Sequence, residues 1–266
     1  VIKSGVLGQI TEVHVVTDRS KGWWPQGMQL QPAAEQAPAT LQWQQWLGPA
    51  ADRTYSKDYL PFVWRGWWDF GTGALGDMAC HLMDGPFQAL NLKYPETVEA
   101  VSDVFSQFSP PVSAMITYQF GRRGDLGPVK LIWYDGGRRP PESVIEGRKL
   151  ENGSIFVGEK GKLIVEHASS KPILFPEEKF ATVTMKTYLA FDNKNHYFQF
   201  IDACIHGGPT DTTFNYACPL SETVLLGNVA LRTGGKIEWD AARMRVKGRP
   251  DADVYIRKQY RPGYSL

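Results

Sequence analysis

The spacing of hydrophobic positions changes several times along this chain, and each change marks an element. Over 10–17 the residues alternate between two faces, Ile10/Glu12/His14/Val16 and Thr11/Val13/Val15/Thr17, with enough β-branched side chains to predict a strand. Periodicity then disappears. The stretch 21–68 is rich in Pro, Gln and Trp, which predicts an ordered arm packed by aromatics rather than a flexible linker. Within 74–92, Leu75, Met78, Ala79, Leu82 and Phe87 fall near helical spacing, predicting a helix at least as far as Asp84, ahead of Gly85-Pro86. Short strands are predicted at 97–105, 113–120, 129–134, 154–157, 162–166 and 181–184, separated by Gly, Pro and Asp turns, with Glu159-Lys-Gly161 as a hairpin tip. Two helices then close the domain. The first, 194–206, has Tyr197, Phe198, Ile201, Cys204 and Ile205 on one apolar stripe, and the second covers 221–233. Strands in runs, without intervening helices, predict an α+β fold with a large, mostly antiparallel sheet and helices on one face.

Composition narrows the function classes. The 266 residues are 42% hydrophobic and 21% charged, as expected of a globular chain of one large domain or two small ones. Lys and Arg number 29 against 28 Asp and Glu, so the net charge of +1 offers no electrostatic footprint for nucleic acid or an anionic membrane. The longest apolar run, about 223–231, is interrupted by Gly227 and Asn228 and is too short to span a bilayer. Cys80, Cys204 and Cys218 are odd in number and widely spaced, which predicts three buried free thiols rather than disulfides or a zinc cluster. The chain opens on Lys-Ser-Gly and Leu-Gly as if leaving a helix in progress, so a fragment of a longer protein is expected.

Two motifs carry candidate chemistry. Gly71-Thr-Gly73-Ala-Leu-Gly76 matches the spacing of a dinucleotide fingerprint, but it follows Trp64-Arg-Gly-Trp-Trp-Asp-Phe70 rather than a buried apolar strand. Asp77 would also put a carboxylate beside the phosphates, so these glycines are expected to form a structural turn that starts a helix. On that helix Asp77 and His81 are four residues apart and share one face, within reach of one small ligand. Oxidation of an alcohol requires removal of the hydroxyl proton. An imidazole can take it while a carboxylate orients the substrate or stabilises imidazolium. The same spacing also suits a plain surface pair. A metal site would need a further ligand from His14, His167, His196 or His206, none of which forms a recognisable set with Asp77 or His81. Arg65, Trp67 and Trp68 are candidate substrate contacts, weighed against aromatic packing of the arm.

Taken together, Trp43-Gln-Gln-Trp-Leu-Gly-Pro49, the run from Trp64 to His81, and Glu222-Thr-Val-Leu-Leu-Gly-Asn-Val-Ala-Leu-Arg232 resemble the C-terminal part of Gfo/Idh/MocA oxidoreductases. The resemblance spans essentially the whole chain. It implies that 1–266 is a substrate-binding and oligomerisation domain with a Trp-rich arm at about 21–70, resembling the C-terminal domain of glyceraldehyde-3-phosphate dehydrogenase. It also implies a separate N-terminal Rossmann domain for NAD or NADP, so that no cofactor is expected on this chain. Asp77 and His81 align with the family's catalytic aspartate and histidine. The family's Glu-Lys-Pro motif has no match here, and Gln42 and Gln45 depart from the Asp-containing form usual around Trp43.

The function so implied is NAD(P)-dependent oxidation of a sugar, polyol or derivative, with activity expected of the full-length parent and not of this chain alone. Two alternatives stand beside it: a redox-assisted glycosidase or lyase of the same family, and a noncatalytic carbohydrate-binding domain. The expected partners are a carbohydrate-like small molecule and, through the sheet face, further copies of the chain. The compartment is not readable from these residues: a soluble protein is expected, cytoplasmic or, if an export signal lies in the missing N-terminus, periplasmic.

Overall fold

The computed structural model describes residues 1–167, 171–184 and 195–265. A 3-10 turn (Ile2–Ser4) leads into β1 (Ile10–Val16). The arm that follows carries α1 (Trp43–Leu47) and two further 3-10 turns, Lys57–Tyr59 and Val63–Gly66, before α2 (Gly73–Leu82) and α3 (Asp84–Ala89). Next come β2 (Thr97–Ser102), β3 (Ala114–Phe120), β4 (Val129–Tyr134), α4 (Glu142–Ile145), β5 (Gly153–Gly158), β6 (Gly161–Glu166) and β7 (Ile173–Phe175). The order ends with α5 (His196–His206), α6 (Phe214–Thr233), β8 (Gly235–Asp240), β9 (Arg245–Val246) and α7 (Asp253–Ile256).

Among the described residues the strands form one nine-stranded sheet in the order β7-β6-β5-β1-β4-β3-β2-β8-β9. β1 and β4 run parallel, with Val13 opposite Leu131, and every other adjacent pair is antiparallel. The predicted α+β sheet is therefore present. Burial along β3 alternates: Ala114, Ile116, Tyr118 and Phe120 are buried, and the residues between them are half-buried. The buried set faces α2 and α6. Leu75, Met78 and Leu82 of α2, with Val224 and Leu231 of α6, join Val13, Ile116, Trp133 and Phe156 in the main core. Each fully buried aliphatic or aromatic side chain there stabilises by about 1.5–3 kcal/mol, which fixes both helices on this face. Among the described residues the other face is covered at one end only. There α4 and Leu150 close over Val16, Ile132, Tyr134, Ile155 and Ile164, whereas at β2 Glu99 and Val101 are exposed.

Several local expectations are corrected. No strand forms at 181–184; Ile173–Phe175 takes the edge beside β6 instead, with Ile173 opposite Ile164, and Phe180 is buried just after it. Three residues are too few for a period-two pattern to show. The single helix expected from 74 divides at Met83, and α3 restarts with Pro86 in its first turn, where the missing N–H costs no helical bond. α6 begins at Phe214 rather than 221 and holds Pro219 inside it. Its early turns are tied down by the Tyr216 hydroxyl, which donates to the Asp84 carboxylate.

Two expectations of burial also fail. The α5 stripe does not close the domain: Tyr197, Phe198 and Ile205 are 67%, 62% and 67% exposed, and no residue of that helix is buried. Helical spacing reports which residues share a face, not whether anything covers it. Likewise Cys80, Cys204 and Cys218 are free but exposed, not buried. The arm, in contrast, is packed by aromatics as expected. Trp43 stacks on Trp46 at 5.0 Å, and Tyr59 meets Trp67 and Phe70 edge-on, each at 5.2 Å.

Candidate active site

α2 has no cap of its own. Thr72 stands at its N-cap but accepts no backbone hydrogen bond through its side chain. Gln26 of the arm supplies the cap, its Oε1 accepting the Ala74 N–H at 2.8 Å and the Trp24 indole N–H at 2.8 Å. The Gln26 amide in turn donates to the Pro111 carbonyl at 2.7 Å. The arm therefore sets where α2 begins.

The glycines before the helix are filled against by the protein itself. Gly73 has φ of 65°, and a Cβ there would lie 2.6 Å from Pro110. A Cβ on Gly71 would lie 2.6 Å from the Arg65 Cα, and one on Gly76 1.7 Å from the Thr72 Oγ1. The segment ahead of them is a 3-10 turn, not a strand. The clearance that a pyrophosphate would need is occupied, so residues 71–76 do not fit a dinucleotide cradle.

Asp77 and His81 lie one turn apart on α2, Asp77 half-buried and His81 exposed. Gly71 lets the Arg65 backbone approach closely, and the Arg65 Nε donates to Asp77 Oδ1 at 2.9 Å. The same guanidinium donates from Nη1 to the Phe62 carbonyl at 3.1 Å and lies 4.3 Å from the Phe62 ring and 4.6 Å from the Trp64 ring. Asp77 is thus fixed through one oxygen. Its Oδ2 has no hydrogen-bond partner among the described residues. Toward the far end of the helix, the His81 ring centroid is 6.1 Å from that of His167, a residue that sequence spacing did not single out as a neighbour. Cys80 lies beside them. Burial, and then the Asp77 charge, push its thiol pKa up, the opposite of an activated nucleophile.

Of the candidate substrate contacts, Arg65 joins Asp77 as described. Trp67 does not: it is 3% exposed, and its indole N–H donates to the Asp58 carbonyl at 2.8 Å, so packing has consumed both its faces. Trp68 is half-buried and turns to a separate cavity, where the Arg232 guanidinium lies 5.1 Å from its ring. His14 belongs to the other side of the sheet. It is 3% exposed, bonded to the Tyr134 hydroxyl at 3.1 Å and to Glu12 at 3.2 Å, and burial pushes its pKa down. Among the described residues no group of three or more His, Cys, Asp or Glu could hold a metal ion. No helix of the described residues is long and apolar enough to cross a membrane.

The Gfo/Idh/MocA family model for the oxidoreductase C-terminal alpha/beta domain matches residues 1–266. No curated protein matches the chain. Among solved structures, the WlbA dehydrogenase from Bordetella pertussis, in complex with NADH and UDP-GlcNAcA, is 16% identical with a TM-score of 0.46, over 90% of this chain and 58% of that one. An oxidoreductase from Thermotoga maritima is 12% identical with a TM-score of 0.42, over 89% of this chain and 56% of that one. Biliverdin reductase from Synechocystis, in complex with biliverdin and NADP+, is 14% identical with a TM-score of 0.42, over 85% and 56%. The chain therefore spans less than two thirds of the length of the solved structures it matches.

Proposed function

Because the chain belongs to the Gfo/Idh/MocA oxidoreductase family as its C-terminal alpha/beta domain, we propose that it is the substrate-handling part of an NAD(P)-dependent enzyme that oxidises a sugar, polyol or related derivative. The observation that carries this reading is the disposition of α2. Asp77 is anchored by Arg65 through one oxygen, and His81 is exposed one turn further along the same helix.

In this reading the His81 imidazole takes the proton of the reacting hydroxyl, and Asp77 uses its unengaged oxygen to orient that hydroxyl or to stabilise the imidazolium formed. Arg65 is a positioning residue, acting through Asp77. A nicotinamide would accept the hydride, but residues 71–76 do not fit its dinucleotide, so its binding is assigned to polypeptide outside these residues. The half-covered sheet face, with Thr117 and Gln119 half-buried and Glu99 and Val101 exposed, is proposed as the surface through which copies of the chain associate.

The test uses the full-length protein with a panel of sugars and polyols, following cofactor reduction. His81→Ala should lower turnover by roughly two to four orders of magnitude with cofactor affinity nearly unchanged. A near-normal rate for that variant would remove His81 from the mechanism. Turnover without net accumulation of reduced cofactor would replace simple oxidation by redox-assisted bond cleavage.

A further inference from the structure

A second feature is independent of the Asp77 and His81 face. A cavity of about 440 Å³ lies between the arm, α6 and α7, lined among others by Trp68, Val229, Arg232, Tyr255 and Lys258. Neither Asp77, His81 nor Arg65 lines it. Arg232 stands in its wall, half-buried, with the Tyr255 ring 4.2 Å and the Trp68 ring 5.1 Å from its guanidinium carbon. Among the described residues the guanidinium donates no hydrogen bond and pairs with no carboxylate.

The guanidinium nitrogens are not sealed from solvent, so five N–H donors in a fixed plane, with no protein acceptor among the described residues, stay open toward the cavity. Burial pushes the Arg232 pKa down. Among the described residues the one acidic side chain in the cavity wall, Asp69, is hydrogen-bonded by Arg53 and reaches Arg232 only as a through-space charge that partly offsets the effect of burial. Lys258 adds a second positive charge at the wall, its ammonium 3.4 Å from the Asp69 carbonyl. Aromatic rings beside the guanidinium leave its edge as the place for a hydrogen-bonding partner, and an edge-on guanidinium matches the paired oxygens of a carboxylate or phosphate. Val229 and Val254 supply apolar wall beside it, suited to the body of a small organic molecule.

We propose that this cavity binds a small organic oxyanion, a carboxylate or a phosphate, through the edge of Arg232 between Trp68 and Tyr255. The site is separate from the proposed catalytic face, so it stands or falls without that reading.

The experiment is calorimetric titration of the protein with benzoate, inorganic phosphate and, as the uncharged counterpart, benzamide. Benzoate or phosphate should bind saturably, at least tenfold more tightly to the wild type than to Arg232→Gln, and benzamide should not bind. Binding of benzoate alone assigns the site to carboxylates, and binding of phosphate to phosphates. Equal affinity in the wild type and Arg232→Gln, equal binding of benzamide and benzoate, or no binding of either anion overturns the proposal. Should Arg232→Gln fail to fold, phenylglyoxal modification of the wild type decides. Saturating anion should slow modification of Arg232, located by peptide mass, at least tenfold, and an unchanged rate refutes the site.

Discussion

α6 rides on the sheet and on α2 at Gly227, and the closeness of that contact can be measured. A Cβ at this position would lie 2.3 Å from the Tyr118 Oη, 2.7 Å from a Leu75 methyl and 3.1 Å from an Ile116 methyl. Two of those separations are shorter than real Cβ contacts, so Gly227→Ala must displace side chains in a close-packed core, at about 1–3 kcal/mol. Alanine recovers roughly 0.8–1 kcal/mol of helix propensity, leaving a net loss of about 0–2 kcal/mol. Tyr118 sharpens the test. Its hydroxyl is buried without a hydrogen-bond partner among the described residues, and burial pushes its pKa far up. Removing an unsatisfied buried hydroxyl lifts a penalty of about 1–3 kcal/mol, so Tyr118→Phe should be neutral or stabilising. It also removes the atom that the methyl added by Gly227→Ala would strike first. In a double-mutant cycle Tyr118→Phe should therefore rescue part of the Gly227→Ala loss, with a coupling of about 1 kcal/mol, while the Leu75 contact prevents full rescue. Urea unfolding followed by circular dichroism gives all four stabilities, with the slope m expected to stay constant. Additive effects, or a Gly227→Ala protein stabilised by the full propensity gain, would show that α6 does not sit this close to β3.

Three further outcomes can be measured independently of that cycle. Gln26→Ala should destabilise the fold by about 0.5–2 kcal/mol, because it removes the only cap of α2 among the described residues; unchanged thermal unfolding would count against that long-range cap. Asp135 is fully buried, and desolvation pushes its pKa up to about 7 from an ordinary 3.8, despite hydrogen bonds from the Trp133 indole and the Ala114 N–H. A raised folded pKa means that the folded state holds the proton more tightly. Its contribution is fully present below about pH 4 and is lost as pH rises to about 7, with a slope of at most about 1.4 kcal/mol per pH unit. The stability of the wild type relative to Asp135→Asn should fall as pH rises across that window, and a difference flat in pH would refute the assignment. Thr117→Arg, on the half-covered face of β3, should shift sedimentation toward the monomer without changing secondary structure, whereas a wild type that is already strictly monomeric would remove the proposed self-association.

Much of the architecture was legible in the residues. β1, β3 and β4 have period-two alternation or continuous apolar character that suits strands alone, and their observed limits fall within a residue of the expected ones. The Glu159-Lys160 tip closes the β5–β6 hairpin where the Gly161 turn predicted it. What failed was short or cooperative. β7 is three residues long and β9 two, β8 shows only two buried positions, Ile237 and Trp239, and α6 runs through Pro219 because tertiary contacts on both sides of the proline hold a helix that local propensity alone would end.

The candidate site divides the same way. Spacing of four on a helix put Asp77 and His81 on one side of α2, since 3.6 residues per turn leaves no other arrangement. The sequence by itself therefore determined that the two residues lie one turn apart on a helix, that the glycines form the turn before it, and the family. Tertiary structure alone decided that Arg65 grips Asp77, that Gln26 caps the helix from 48 residues away, that Trp67 is buried, and that Arg232 lines a cavity beside Trp68 and Tyr255 with no hydrogen-bond partner among the described residues. Those outcomes depend on where a nonperiodic arm comes to rest. An aromatic side chain satisfies packing or ligand contact equally well until its neighbours are known, and only the folded chain supplies the neighbours.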